Sequence, residues 1–117
     1  MALAPLSAAD LASTPTVLDS FMGCVDRGQK TVGQLLEIYR DRRAALERCG
    51  EHSEHLRVER FKHDMTARRW RTDVVMRIGV FDGTVLVIDG IHRAIAYLAC
   101  LEDGASPRAL PALCVEV

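Results

Sequence analysis

The spacing of the apolar residues changes near residue 73, and this change constrains the fold more than any other feature of the chain. Residues 73–90, DVVMRIGVFDGTVLVIDG, are rich in β-branched side chains and are interrupted by Asp82-Gly83. An Asp-Gly pair between two apolar runs is a strong signal for a tight hairpin turn. The segment therefore predicts two paired strands, and IHRAIAYLACLEDG, which follows at once, predicts a helix.

The helix after the hairpin has a clear predicted end. Gly104 is typical of a helix C-terminus, and Pro107 follows shortly after it. Residues 109–117, ALPALCVEV, alternate in the manner of a last strand. A strand, a crossover helix and a further strand usually form a right-handed unit with parallel strands. The predicted fold class is α+β, with a helical N-terminal half packed on a small mixed β-sheet.

The first half of the chain predicts helices from their start signals. Ser7 is a predicted N-cap, and Thr14-Pro15 predicts a second start, because proline is tolerated at the first helical position. Thr31 and Gln34 form a capping-box pattern that predicts a third start. Apolar residues at one-face spacing follow the last two starts: Val17, Leu18, Phe21, Met22 and Val25, up to Gly28; then Val32, Leu35, Leu36, Tyr39, Leu46 and Cys49, up to Gly50.

Residues 51–71 combine a narrow apolar face with many basic side chains. Val58, Phe61 and Met65 suit one side of a helix, and most other positions are polar. Such a segment is either a solvated helix face or the flank of an anion site, since local positive charge concentrates anions. The sequence leaves both interpretations open. The basic residues are Arg57, Arg60, Lys62, Arg68, Arg69 and Arg71.

Length and composition place bounds on the function. The 117 residues suffice for one domain, and the formal net charge of −1 argues against a surface that is basic throughout. No apolar run approaches the roughly 20 residues that span a bilayer. The N-terminus, MALAPLSAADLAS, lacks the basic leader and apolar segment of an export signal. We therefore expect a cytoplasmic protein with no membrane partner.

The cysteines and histidines do not predict a metal site. The four cysteines are widely scattered, which favours buried, reduced thiols over a disulfide framework. Histidines beyond a helix end, next to one cysteine, lack the pairing typical of structural zinc, so solvated histidines are favoured. The residues concerned are Cys24, Cys49, Cys100 and Cys114, and His52, His55 and His63.

The junction between the second strand and the helix places several polar residues side by side. Gly90 permits a tight exit from the strand, and Asp89 is placed to cap the helix. Amides at a helix start lack intrahelical partners and lie where the helix dipole is positive, so an anion is favoured there. Arg93 can hold phosphate oxygens in a bidentate manner, and His92 can donate a hydrogen bond or carry a proton. A purely structural turn with solvated polar residues is equally compatible with this chemistry.

The stretch VLVIDGIHRAIAYLA, residues 85–99, resembles the strand-turn-helix motif of the ParB/sulfiredoxin-like superfamily, with its D-G-x-H-R type turn. The resemblance covers residues 58–117, the core of a single domain (1–117) whose residues 1–57 form a mainly helical part. It implies phosphate binding by Gly90, Ile91, His92 and Arg93, and catalytic roles for His92 and Asp89.

The same resemblance implies cofactors and auxiliary residues. ATP or another nucleotide is the implied ligand, with Mg²⁺ held by Asp89 between the protein and the phosphates. Arg60, Arg71 and Glu59 are the auxiliary residues that the resemblance suggests near this place. Asp64 and Asp73 are further candidates for a carboxylate base, as Glu59 is.

The chain also departs from several members of that superfamily. Sulfiredoxins carry a reactive cysteine where this chain has Ile91, so sulfinic acid reduction is not expected. Partition proteins carry a helix-turn-helix domain after this module, whereas the sequence ends at Val117, so sequence-specific centromere binding is not expected.

Three functional hypotheses follow. The leading one is a domain that binds a nucleotide or another phosphorylated small molecule, with phosphotransfer or nucleotide hydrolysis as the reactions open to it. The second is a DNA-associated ParB-like nuclease or accessory module that binds nucleic acid through the basic segment. The third is a non-catalytic regulatory domain whose N-terminal helices bind a protein partner.

Overall fold

Four helices and a small mixed sheet make up an α+β fold in the part of the chain that the structure describes. This structure is a computed structural model, and it describes residues 2–3, 7–18, 20–21, 24–25, 30–49, 53–67, 76–105, 107, 110 and 112–114. The helices are α1 (Ala8–Ser13), α2 (Val32–Cys49), α3 (Ser53–Thr66) and α4 (Ile91–Glu102). The strands are β1 (Ala2–Leu3), β2 (Ser20–Phe21), β3 (Cys24–Val25), β4 (Met76–Phe81), β5 (Thr84–Asp89) and β6 (Ala112–Cys114).

The hairpin predicted around Asp82-Gly83 is confirmed. Strands β4 and β5 pair antiparallel, and Val80 lies opposite Val85 next to the turn. Asp82 and Gly83 both have a positive φ, 49° and 79° respectively. Two left-handed residues in succession match the right-handed twist of the flanking strands, which is why Asp-Gly is favoured in such turns.

The last strand does not run parallel to the strand that precedes α4. The sheet order is β1-β6-β4-β5, so β6 runs parallel to β4 and opposite to β5. The prediction that the strands on either side of α4 are parallel is therefore wrong, although the sheet is mixed as predicted. The outer edge of β5 is occupied, because Val87 donates to the Pro15 carbonyl (2.8 Å) and accepts from the Val17 amide (3.2 Å). β6 lies instead beyond β4.

The helix predicted to start at Thr14-Pro15 is wrong as well. Residues 14–18, called the extended segment below, bridge β5 through Thr16 and Val87. Proline disfavours helical geometry in the residue before it, and Thr14 has φ −78° and ψ 126°. Thr16 is fully buried, and its hydroxyl donates to the Lys30 carbonyl at 2.7 Å. β2 and β3 follow as a short antiparallel pair, whereas Met22 and Gly28 lie outside the described residues.

The other two helix starts are confirmed by their caps. The Ser7 hydroxyl accepts a hydrogen bond from the Asp10 amide at 3.1 Å. Thr31 and Gln34 form a complete capping box, because each side chain accepts from the other residue's amide, at 3.1 and 2.9 Å. Both starts depend only on residues three apart, which explains why the sequence predicts them well.

α4 lies at the centre of the fold and packs on α1, α2, α3 and β4. The small residues of α4 are all buried, and Ile95 and Leu98 are buried beside them. Val58 and Met65 of α3 belong to the same core, which confirms the helix predicted there. The buried small residues of α4 are Ala94, Ala96, Ala99 and Cys100.

The C-terminal end of α4 is fixed by main-chain and side-chain contacts. Gly104, at φ 82°, donates to the Leu101 carbonyl (3.1 Å), and Ala105 donates to the Cys100 carbonyl (2.9 Å), which is a Schellman arrangement. Asp103 accepts charge-assisted contacts from Lys62 of α3 and Arg40 of α2, each at 3.0 Å. The Lys62 ammonium lowers the pKa of the Asp103 carboxyl. Cations from two helices thus meet the negative end of the α4 dipole.

Two composition-based expectations bear on the described residues. No helix among them is long and apolar enough to cross a membrane. Cys100 is in no disulfide, and burial raises the pKa of its thiol. The side chains of Cys24 and Cys49 lie outside the described part of the chain.

Gly33 provides a direct test of the packing between α1 and α2. A Cβ at this position would lie 2.9 Å from the Ala12 carbonyl oxygen, a contact that the backbone must move to relieve. Glycine to alanine in a helix normally stabilises by up to about 1 kcal/mol. We expect Gly33→Ala instead to lower the free energy of unfolding by about 1–3 kcal/mol, because the added methyl group would overpack the contact between α1 and α2.

Urea unfolding followed by circular dichroism measures this difference. Glu37→Ala is the matched control, since Glu37 is exposed on the same helix, and we expect it to stay within about 0.5 kcal/mol of the wild type. A Gly33→Ala protein as stable as the wild type would contradict the packing described.

Candidate anion-binding site

The chain enters α4 through a glycine in the left-handed conformation. Gly90 is the N-cap residue, with φ 82° and ψ 19°, and no side chain caps the helix. The prediction that Asp89 caps α4 is therefore wrong. The turn at Gly90 directs the Asp89 carboxylate to the neighbouring amide, which donates to Oδ1 at 2.9 Å. The first intrahelical bond runs from Ala94 to the Gly90 carbonyl, so the amides of Ile91 and Arg93 precede the helical ladder.

A cavity of about 370 Å³ opens at this end of α4 and is called the α4 cavity below. Its volume falls within the range of small-molecule sites. Four parts of the fold contribute to it: the extended segment, α3, the end of β5 and the start of α4. The lining residues are Leu18, Arg57, Phe61, Ile88, Asp89, Gly90, Ile91, His92 and Arg93.

Arg93 is half-buried at the wall of the cavity. Its guanidinium carbon lies 5.1 Å from the centroid of the Phe61 ring, a cation–π arrangement. Among the described residues, no carboxylate lies within ion-pair distance of this guanidinium. The ring therefore holds the guanidinium in place, and its N–H donors remain available for an anion.

The basic residues of α3 divide between different environments. Arg57 lines the α4 cavity and adds a second guanidinium to it. Lys62 is paired with Asp103 at the opposite end of α4. Arg60, predicted as an auxiliary residue, is exposed and does not line the cavity. Arg68, Arg69 and Arg71 lie outside the described residues, so the prediction for Arg71 is not addressed by the structure.

His92 lies in the cavity wall between charges of both signs. Its Nε2 is 3.8 Å from Oε1 of Glu54, which is in the first turn of α3. Burial lowers the pKa of the His92 imidazole, and the nearby Arg57 lowers it further, whereas Glu54 acts in the opposite direction. The net pKa lies below the ordinary 6.5, so the imidazole is mainly neutral at pH 7.

Glu59, the other predicted auxiliary residue, is engaged away from the cavity. It accepts a hydrogen bond from the buried Tyr39 hydroxyl, and its Oε1 is 3.8 Å from Nε2 of His55. His55 is only 8% exposed and stacks on the Tyr39 ring with the centroids 5.3 Å apart. The expectation of a solvated histidine is therefore wrong for His55, because the apolar face of α3 continues onto the aromatic ring of α2. His63 is exposed as expected, and His52 lies outside the described residues.

Three residues that line the cavity are not predicted as site residues by the sequence, each for a different reason. Leu18 was assigned to a helix, although Pro15 and the β-branched pair Thr16-Val17 favour an extended chain there. Ile88 reads as an ordinary strand residue. Phe61 is predicted only as part of the apolar face of a helix, and its contact with Arg93 depends on how α3 packs on α4, which the spacing of residues along one helix does not show.

The described residues do not fit a protein-built Mg²⁺ site. No group of three or more His, Cys, Asp or Glu among them could hold a metal ion. One oxygen of Asp89 accepts from the Gly90 amide, and the other lies 3.9 Å from Nε of Arg77. Binding experiments should therefore compare the protein with and without Mg²⁺.

The position of His92 predicts an acid-sensitive stability. The unfolded chain takes up a proton on this residue near pH 6.5, whereas the native state resists it, so the free energy of unfolding should fall as pH drops below about 6.5. The loss ends once pH falls below the lowered native pKa. A single proton limits the slope to about 1.4 kcal/mol per pH unit.

Urea unfolding between about pH 5 and pH 8 measures the effect. We expect His92→Gln to remove this contribution, and His63→Gln, a change of the same type at an exposed position of α3, to retain it. Equal pH dependence in wild type and His92→Gln would show that the imidazole is not held neutral by the fold.

Comparison with known proteins adds no further assignment. No family model, no curated protein and no solved structure matches the chain. The ParB/sulfiredoxin-like resemblance therefore rests on the strand-turn-helix residues 85–99, and it stays a prediction.

Proposed function

We propose that the α4 cavity binds the phosphate group of a nucleotide or of another phosphorylated small molecule. The observation that carries this proposal is that two arginines, Arg57 from α3 and Arg93 from α4, line one cavity at the N-terminal end of α4. Guanidinium groups are suited to phosphate because their donors match its oxygens, and the helix start adds amides and a positive dipole.

Each part of the cavity has a role in this proposal. Arg93, held over the Phe61 ring, makes the bidentate contact, and Arg57 adds a second positive charge to the same cavity. The amide of Ile91 provides a main-chain donor. Leu18 and Ile88 give the cavity an apolar wall for the remainder of the ligand.

Of the two residues predicted to be catalytic, His92 is the one that the geometry favours. An imidazole in the cavity wall is suited to donate a hydrogen bond to a bound phosphate and to carry a proton. The Asp89 carboxylate is instead occupied by the Gly90 amide, so in this proposal it sets the turn. Phosphotransfer and hydrolysis are both compatible with His92 as the proton carrier, and binding is the function proposed.

A small ligand is preferred over DNA for two reasons. Among the described basic residues of α3, Arg57 lines a cavity of limited volume and Lys62 is paired with Asp103, which favours a small ligand over a duplex. The proposed protein partner of the N-terminal helices receives no specific support either, because Leu11, Val32 and Leu35 are buried in the fold's own core.

Calorimetric titration with ATP, ADP, CTP and inorganic phosphate, each with and without Mg²⁺, tests the proposal. We expect at least one of these ligands to bind. We expect Arg93→Ala and Arg57→Ala each to weaken its binding by about 10- to 100-fold, which is the size expected for losing a charged hydrogen bond.

Arg60→Ala is the matched control, since it removes an exposed arginine from the same helix without altering the cavity wall. Its affinity should remain within about twofold of the wild type. Absence of heat with every ligand, or an equal loss in all three variants, would overturn the proposal.

A further inference from the structure

Glu54 lies directly behind the cavity wall, although it does not line the cavity. It is in the first turn of α3, and its Oε1 is 3.8 Å from Nε2 of His92 in the first turn of α4. The His92 side chain is 16% exposed and the Glu54 side chain 30%, so the pair is largely shielded from water. A carboxylate from one helix thus meets an imidazole from the next where the two helices pack.

We propose that Glu54 is a positioning residue for the anion site. It holds the His92 imidazole against the cavity wall, and it supplies the negative charge that allows His92 to take up a proton when an anion enters. This inference rests on the proposed function and extends it, because it makes anion binding depend on proton uptake by the His92 imidazole beside Glu54.

The charges around His92 explain why protonation of its imidazole requires both Glu54 and a bound anion. From α3, Glu54 favours the imidazolium and Arg57 opposes it. Arg93, next in α4, adds a second positive charge to the cavity wall, and Asp89 at the end of β5 adds a negative one. In the free protein burial and the charge of Arg57 prevail, and the imidazole is mainly neutral at pH 7.

An incoming anion reverses this balance. A dianion bound by Arg57 and Arg93 offsets their charge, and the carboxylate nearest to the imidazole, that of Glu54, then favours a protonated His92. The imidazolium adds a hydrogen-bond donor and a positive charge to the site. A carboxylate this near a bound anion would otherwise repel it, and the proton on His92 cancels that repulsion.

The pH dependence of sulfate binding tests the inference, because sulfate is a tetrahedral dianion that does not titrate near neutral pH. We expect the affinity of the wild type to rise as pH falls from about 8 to about 5.5, by at most tenfold per pH unit for one linked proton. His92→Gln should bind with a flat profile. Glu54→Gln should still bind, with the rise displaced to lower pH.

A second readout separates positioning from a purely structural role. We expect an NMR titration of the His92 imidazole to give a lower pKa in Glu54→Gln than in the wild type, and Glu54→Asp to restore part of the difference. Glu37→Gln, which removes an exposed carboxylate on α2, is the matched control and should leave both profiles unchanged. Thermal unfolding of each variant checks that the fold is retained.

The outcomes distinguish the two proposals. Binding whose pH profile is the same in wild type and Glu54→Gln would overturn the role of Glu54 and leave the anion site standing. The same titrations with ATP test a ligand larger than sulfate. ATP itself takes up a proton in this pH range, but that contribution is equal for all variants and cancels when they are compared. Absence of binding of both sulfate and ATP at every pH would overturn the proposed function and this inference together.

Discussion

The enclosure of α4 is the constraint on which the rest of the structure depends. Seven of its twelve residues are buried, and the helix contacts the other three helices as well as the sheet. Such enclosure requires small side chains, because larger ones at Ala94, Ala96 and Ala99 would force the neighbouring elements apart. The direction of α4 is thereby fixed, and with it the place where its first amides meet Arg57 and Phe61.

The two ends of α4, which have opposite partial charge, each receive a positive side chain from the same neighbouring helix. α3 contributes Lys62 to the C-terminal end and Arg57 to the N-terminal end. Lys62 neutralises Asp103 and faces the negative end of the dipole, so this contact stabilises the fold. Arg57 faces the positive end, an arrangement that is unfavourable without a bound anion. α3 is held in this position by the contacts of Glu59 and His55 with Tyr39 of α2.

The features that could be predicted from the sequence are those set by neighbouring residues. The hairpin turn, the capping box of Thr31 and Gln34, and the stop at Gly104 each depend on a few consecutive positions. The extended segment was missed because Thr16 gains its partners from Lys30 and Val87, far along the chain. The pairing of β6 and the burial of His55 likewise depend on contacts between distant elements. In the site, Arg93 and His92 were identifiable from their motif, whereas the proximity of Glu54 to His92 follows from helix packing alone.

The left-handed Gly90 has an evolutionary consequence. A main-chain amide is the same whatever side chain its residue bears. The donors at the start of α4 would therefore survive most substitutions, provided that position 90, at φ 82°, remains glycine. The apolar walls that would distinguish one ligand from another under the proposed function, Leu18 and Ile88, belong to separate elements. Exchange of those walls could therefore change the ligand, while the main-chain donors at the start of α4 and the contact of Arg93 with Phe61 stay as they are.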